Sequence, residues 1–222
     1  MFKDITKFML KFTKREATEL MIALIVLSFC FAISTVKIDI HKILSLLPIV
    51  VIGVASGTIL HEVGHKFMAM RYGYQSEFKL WPIGLLIGFA TAFFGFVFAV
   101  PGTANLDTED LSDEMNGKIK IAGPLTNIVL ALLFILIAAL IYPFSLHSQT
   151  IHLIYLICTV GFSVNSFLAT FNLIPIYSFD GTAVLKWSIG FWIIAFAIAV
   201  IMMLSSMTIG AENMVLMIMG LT

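Results

Sequence analysis

The chain has 222 residues, 60% of them hydrophobic and 12% charged, with a formal net charge of +0 and a mean hydropathy of +1.04. Ordinary soluble domains run at about 45–50% apolar and about 25% charged, so a water-soluble fold has nowhere to place this much apolar surface, and a lipid bilayer is the expected solvent. A neutral chain in which no basic stripe alternates with aromatics also argues against nucleic acid as a partner.

Residues 1–16 carry Lys3, Lys7, Lys11, Lys14 and Arg15 among Phe2, Phe8, Met9, Leu10 and Phe12. This stretch is too long and too charged for the start of a signal peptide, and no small-residue cleavage site follows the next apolar core. It reads as a retained amphipathic segment on the membrane surface, and the positive-inside rule places it in the cytoplasm. Residues 17–222 form the membrane-embedded domain. Apolar runs at Ala17 to Ser34, Ile43 to Met70, Ile119 to Tyr142, Ile151 to Ile174 and Ala183 to Ser206 are each about as long as the roughly 20 residues that a spanning helix needs. Cys30 and Cys158 lie in the middle of two of these runs, where packing is the expected role.

Between the second and third runs lies Leu80 to Val100, long enough to span but interrupted by Pro82, Gly84, Gly88 and Gly95 and dense in Phe and Val toward its end. That mixture favours bent or extended backbone, which lipid tolerates only where protein or a water-filled cavity satisfies its polar groups. A re-entrant hairpin is expected here. Thr103 to Lys118, with Asp107, Glu109, Asp110, Asp113 and Glu114, reads as a solvated acidic loop. Met214 to Leu221 is apolar but too short to cross, and stands as an interfacial turn or the stub of a sixth span. The expected fold is an all-α polytopic membrane protein of five transmembrane helices, with the hairpin between the second and third.

The second apolar run contains His61-Glu62-Val63-Gly64-His65. Two imidazoles four residues apart on a helix project from one face, their Cβ atoms about 5–6 Å apart, and so can share one metal ion. Glu62 lies beside that face and can accept a proton from a metal-bound water. Ionisable groups inside a spanning helix are functional by default. The motif therefore points to zinc, one per chain.

Two histidines leave a catalytic zinc one protein ligand short. Glu77 sits in the polar segment Gln75 to Lys79, where a solvated carboxylate is the expected state, and no third histidine follows in an H-x-x-G-x-x-H continuation, since HKFMAMR occupies those positions. His41, His147 and His152 fall at helix ends on the opposite side. Asp180, just after the fourth span, remains. It reaches the histidines only if Leu80 to Val100 turns back; were that segment to cross, about 30 Å of hydrocarbon would separate them. A hairpin also gathers Lys66, Arg71, Lys79, Lys118, Lys120 and Lys186 on the cytoplasmic side.

Three motifs in this order, HEVGH, AGPLTN (Ala122 to Asn127) and the run Asn172, Pro175, Asp180, Gly181, resemble the site-2 proteases, intramembrane zinc metalloproteases that cut transmembrane helices of other proteins. The resemblance covers about residues 43–185. It implies His61, His65 and Asp180 as zinc ligands, Glu62 as the base that activates water, and Asn172 as the residue that holds the substrate or polarises its scissile carbonyl. A neutral amide suits that task, having a lower desolvation cost than a charge. For Asn172 and Asn127 alike, a plain helix-packing hydrogen bond is the competing role. The chain departs from many relatives in following Asp-Gly with Thr-Ala-Val-Leu-Lys rather than a glycine and an arginine. Nothing in it resembles an appended PDZ or CBS domain. The expected partners are transmembrane protein substrates and the lipid bilayer of the cell membrane, with Gly53, Gly57 and Gly64 leaving room beside the active helix. Two other functions use the same residues: a metal transporter or sensor, which leaves Glu62 without a task, and a membrane zincin acting on prenylated or soluble peptides with Glu77 as third ligand.

Overall fold

The computed structural model describes residues 12–106, 111–176 and 179–221. The expected amphipathic segment falls mostly on residues 1–11, outside the described residues, as do Asp107, Glu109 and Asp110 of the acidic loop.

Among the described residues five helices are long and apolar enough to cross a bilayer: α1 (Lys14–Val36), α2 (Ile40–Tyr72), α4 (Asp113–Ser145), α5 (Gln149–Asn172) and α7 (Ile189–Thr208). Three short helices complete the set: α3 (Pro82–Ala92), α6 (Asp180–Trp187) and α8 (Ala211–Ile218). Most spanning helices extend a few residues past their apolar runs because polar residues cap them. Thr13 accepts from the backbone N–H of Glu16 while the Glu16 carboxylate accepts from that of Thr13, a reciprocal capping box. Asp39, Ser112 and Ser148 cap α2, α4 and α5 in the simpler way.

Two expected boundaries are corrected. The acidic loop is shorter than Thr103 to Lys118, because its first residues complete a strand and its last six are the opening turns of α4. Asp113 and Glu114 stand in that helix's first turn, where carboxylates complement the positive end of the helix dipole; composition alone cannot separate that use from solvation. The fifth apolar run is also not continuous. Ser188, extended at φ −156° and ψ 107°, ends α6 and caps α7. At eight residues, α8 is about 12 Å long and does not span.

The segment between α2 and α4 does turn back. Strand β1 (Ser76–Leu80) pairs antiparallel with β2 (Gly102–Leu106), with Leu80 opposite Gly102, Lys79 opposite Thr103 and Phe78 opposite Ala104. The Trp81 N–H continues the pairing to Pro101 O at 2.9 Å. Between the strands the chain rises through α3, turns at Gly95 with φ +89°, a conformation glycine adopts without strain, and returns extended. Both ends of Leu80 to Val100 therefore sit at one level.

Helix α4 packs along α5, and α2 packs against both. Gly53 and Gly64 let them close: a Cβ at Gly53 would stand 3.3 Å from Gly161 Cα of α5, and one at Gly64 only 2.9 Å from Ala122 O of α4. The room that these small residues were expected to leave is thus filled by neighbouring backbone. On α7 only Ala195, Ala199 and Met202 are buried, a one-face spacing against α5. Trp192 and Phe196 pack partly onto the core, while Ile193, Ile194 and Ile201 are exposed, the arrangement a lipid-facing surface requires.

Candidate metal centre

His61 and His65 lie one turn apart on α2 and point toward α4. Asp180, the first residue of α6, is carried to them by the connection that follows α5. All three side chains are buried. His61 Nε2 and His65 Nε2 are 3.0 Å apart, and Asp180 Oδ2 lies 3.2 Å from the first and 3.1 Å from the second. Tetrahedral zinc with bonds of about 2.0–2.1 Å has ligand–ligand edges of about 3.3 Å. The observed triangle is nearly that size.

Each histidine is held by its other nitrogen. His65 Nδ1 donates to the backbone carbonyl of Ile119 at 2.9 Å, and His61 Nδ1 donates to Asn127 Oδ1 at 2.6 Å. Asn127 in turn donates through Nδ2 to Gly57 O at 3.3 Å and to Asn165 Oδ1 at 3.2 Å, so its oxygen must face the imidazole. Asn165 is anchored on its own helix at Gly161 O. With both Nδ1 atoms protonated, both Nε2 lone pairs face the shared space, the arrangement by which outer hydrogen bonds fix the tautomer of metal-binding histidines.

The backbone leaves space beside those lone pairs. A Cβ on Gly123 of α4 would stand 2.4 Å from His65 Nε2 and 2.6 Å from His61 Nε2, so any other residue there would occupy ground that an ion needs. Glu62 points into the same interior, fully buried, and its Oε2 has no hydrogen-bond partner; Thr58 Oγ1 nearby is also unpartnered. A buried unsatisfied carboxylate oxygen costs too much to be an accident of packing. Beside it is a cavity of about 10 Å³ lined by Thr58, His61, Glu62, Pro101, Gly102 and Asn172, about the space of one water molecule. Two imidazole nitrogens and a carboxylate oxygen, with an open side and a free base, fit a catalytic zinc.

Asn172 is not in the ligand triangle but shares the cavity wall with Glu62. Its Nδ2 donates to Leu168 O at 2.8 Å, and an amide nitrogen carries a second donor. Glu77 lies elsewhere: it is on β1 and accepts from Thr13 Oγ1 at 2.9 Å at an exposed position. His147 lies in the turn between α4 and α5 and His152 near the start of α5; His152 is 20 residues before Asn172, about 30 Å along the helix.

Several polar side chains around the site have partners that the linear sequence does not declare. Asn165 supports Asn127. Lys120 places Nζ 3.2 Å from Asp180 Oδ1 and donates to Ala104 O of β2 at 2.7 Å. Lys66, next to His65, pairs with Glu16 at 2.8 Å and donates to Ser76 O of β1 at 2.6 Å. A lysine within an apolar run and an asparagine in mid-span were the available signals. The capping box of Thr13 and Glu16 was legible too.

Similarity to known proteins points the same way. A protein of Methanocaldococcus jannaschii designated a candidate zinc metalloprotease is 40% identical over 185 residues, which is 83% of this chain and 90% of that protein. A second protein of the same organism, named a zinc metalloprotease, is 25% identical over 173 residues, 70% of this chain and 43% of its own length. A Bacillus subtilis protein, again designated a candidate zinc metalloprotease, is 26% identical over 153 residues, 64% of this chain and 70% of its own. No family model and no solved structure matches the chain.

Proposed function

The chain belongs to a family of zinc metalloproteases, and from that premise we propose that it is an intramembrane protease of the site-2 type, hydrolysing peptide bonds in or beside transmembrane helices of other proteins. One observation carries the reading. Both histidines and the unpartnered carboxylate oxygen of Glu62 are built inside a long apolar helix: α2 has 33 residues, about 50 Å, against about 30 Å of hydrocarbon, and His61 lies about 16 Å from its C-terminal end. A site at that depth meets substrates that are themselves in the membrane.

His61, His65 and Asp180 are the residues that would hold zinc. Bound there, zinc supplies Lewis acidity to water and to a substrate carbonyl. Glu62 takes the proton of the attacking water as its hydroxyl adds to the carbonyl carbon, and returns it to the amine nitrogen as the C–N bond breaks. The second N–H of Asn172 offers the carbonyl oxygen a neutral donor as negative charge develops on it. A peptide cannot enter a cavity the size of one water molecule as it stands. Pro101 and Gly102 of the hairpin wall it, so the hairpin has to give way or accept the substrate as an added strand. The outer edge of β1 is already taken, since Phe78 N donates to Glu16 Oε1 at 2.8 Å and Leu80 N to Glu19 Oε2 at 2.7 Å. That leaves β2, beside the cavity, as the edge for strand addition.

Orientation follows from charge. Lys14 and Arg15 begin α1, Arg71 and Lys79 follow the motif, and Lys118 and Lys186 flank the other site elements. All stand at the ends nearest the metal centre, which supports a cytoplasmic site. The cell membrane is the proposed location.

The test is Glu62→Gln in purified protein given a reporter membrane helix. Cleavage is expected to fall by about 10²–10⁴-fold while bound zinc, measured directly, stays at the wild-type level. Undiminished cleavage would falsify the mechanism and revive a binding or transport role, in which Glu62 has no task.

A further inference from the structure

Lys120 is buried at the junction of two things that the reaction needs to keep in register, the third ligand and the strand lining the cleft. Its Nζ lies 3.2 Å from Asp180 Oδ1, the oxygen turned away from the histidines, and 2.7 Å from Ala104 O of β2. We propose that Lys120 is a positioning residue that holds Asp180 to ligation through Oδ2 alone and docks β2 onto the ligand set. The inference rests on the reading of Asp180 as a zinc ligand.

Both halves have a physical basis. A carboxylate has two oxygens of equal basicity, and an ammonium fixed on one leaves the other as the available donor; partners of this kind orient a ligand as much as its own backbone does. On the strand side, register decides which groups are free. Phe78 turns its N–H outward to Glu16, so its partner Ala104 also turns its backbone outward, away from β1. Lys120 caps that outward carbonyl. The next outward position of β2 toward the cavity is Gly102, which lines the wall beside Glu62. Lys120 therefore sets where an added strand must stop pairing, and it ties that limit to the metal centre through Asp180. The lysine stem is long enough to make both bonds from α4, and a methionine there, with no N–H to donate, makes neither.

The experiment uses the full chain in detergent with Lys120→Met, which keeps the stem, and Lys120→Arg, which keeps the charge. Zinc affinity is read by competition with a chelator, ligand geometry by the visible spectrum of the cobalt-loaded protein, and strand docking by hydrogen exchange across residues 102–106. Lys120→Met is expected to weaken zinc binding by about 10–100-fold, to alter the cobalt spectrum and to speed exchange in β2, with Lys120→Arg recovering most of each. Wild-type values for Lys120→Met in zinc affinity, spectrum and exchange overturn the proposal. If the methionine variant does not fold, Lys120→Gln takes its place, and equal zinc affinity for the arginine and glutamine variants overturns it just as well. Asp180→Ala separates the two levels: retained zinc in that variant defeats the ligand reading itself, whereas zinc lost there but kept in Lys120→Met defeats only the role given to Lys120.

Discussion

Lys66 and Lys120 are built alike and used differently. Each is a buried lysine that donates to one backbone carbonyl of the hairpin, Ser76 on β1 and Ala104 on β2, and each pairs with a buried carboxylate, Glu16 at 2.8 Å and Asp180 at 3.2 Å. The carboxylates make the difference. Glu16 has both oxygens committed to structure, accepting from Thr13 N, Phe78 N and Lys66. Asp180 gives one oxygen to Lys120 and turns the other to His61 and His65. The β1 side is an anchor that ties α1, α2 and the hairpin together; the β2 side keeps a valence in reserve for the metal. Similar ion pairs thus serve stability at one strand and ligand geometry at the other.

The sharpest way to break that comparison is to remove each carboxylate in turn. Asp180→Ala deletes the proposed third ligand, and zinc affinity is expected to fall by more than the roughly 100-fold that bounds the loss of an outer partner, taking proteolysis with it. Glu16→Ala leaves the three ligands in place but strands a buried ammonium. It is expected to destabilise the fold by about 3–5 kcal/mol, while the protein that stays folded binds zinc with unchanged stoichiometry. Thermal unfolding and metal analysis of both variants check this, and a Glu16→Ala protein that is fully stable yet zinc-free would reverse the assignment.

Gly123→Ala comes next in size and separates stability from ligation at a single atom. Alanine is the better residue in a helix interior by about 0.8–1.0 kcal/mol, yet its methyl would stand 2.4 Å and 2.6 Å from the two Nε2 atoms. The expected outcome is a protein that folds and no longer holds zinc at wild-type affinity. Normal zinc binding in this variant would mean that the ion sits away from the face of α4.

The parts legible in the sequence were those written in local pattern. HEVGH carries its own geometry, since helical spacing alone puts both imidazoles on one face. The glycines and Pro82 marked Leu80 to Val100 as something other than one straight helix, and Asp180 followed from asking which topology could complete the ligand set. What was hidden was long-range and polar. Asn127 was left between packing and function because its partners, His61 and Asn165, lie 66 and 38 residues away. Lys120 counted only as a cytoplasmic charge, because nothing in a linear run tells a lysine at the interface from one folded inward onto Ala104 and Asp180. Gly53 and Gly64 read as open space, since a small residue that admits a neighbouring helix and one that admits water look the same before the neighbours are placed.

The smallest expected effect probes the outer edge of the anchor. Glu19 accepts from Leu80 N at 2.7 Å and pairs with Arg15 at 2.8 Å, but Arg15 is largely exposed, so the pair itself contributes little. The bond to Leu80 matters more. It closes the last outward N–H of β1 before the chain enters α3, next to the Phe78 N–H that Glu16 closes. Glu19→Ala removes that acceptor while Glu16 still holds the strand. Stability is expected to drop by about 1 kcal/mol, with faster hydrogen exchange confined to Leu80 and no change in zinc affinity. Zinc weakened by this substitution would show that the anchor and the metal centre are coupled through β1 after all, because Glu19 touches the site only by way of that strand.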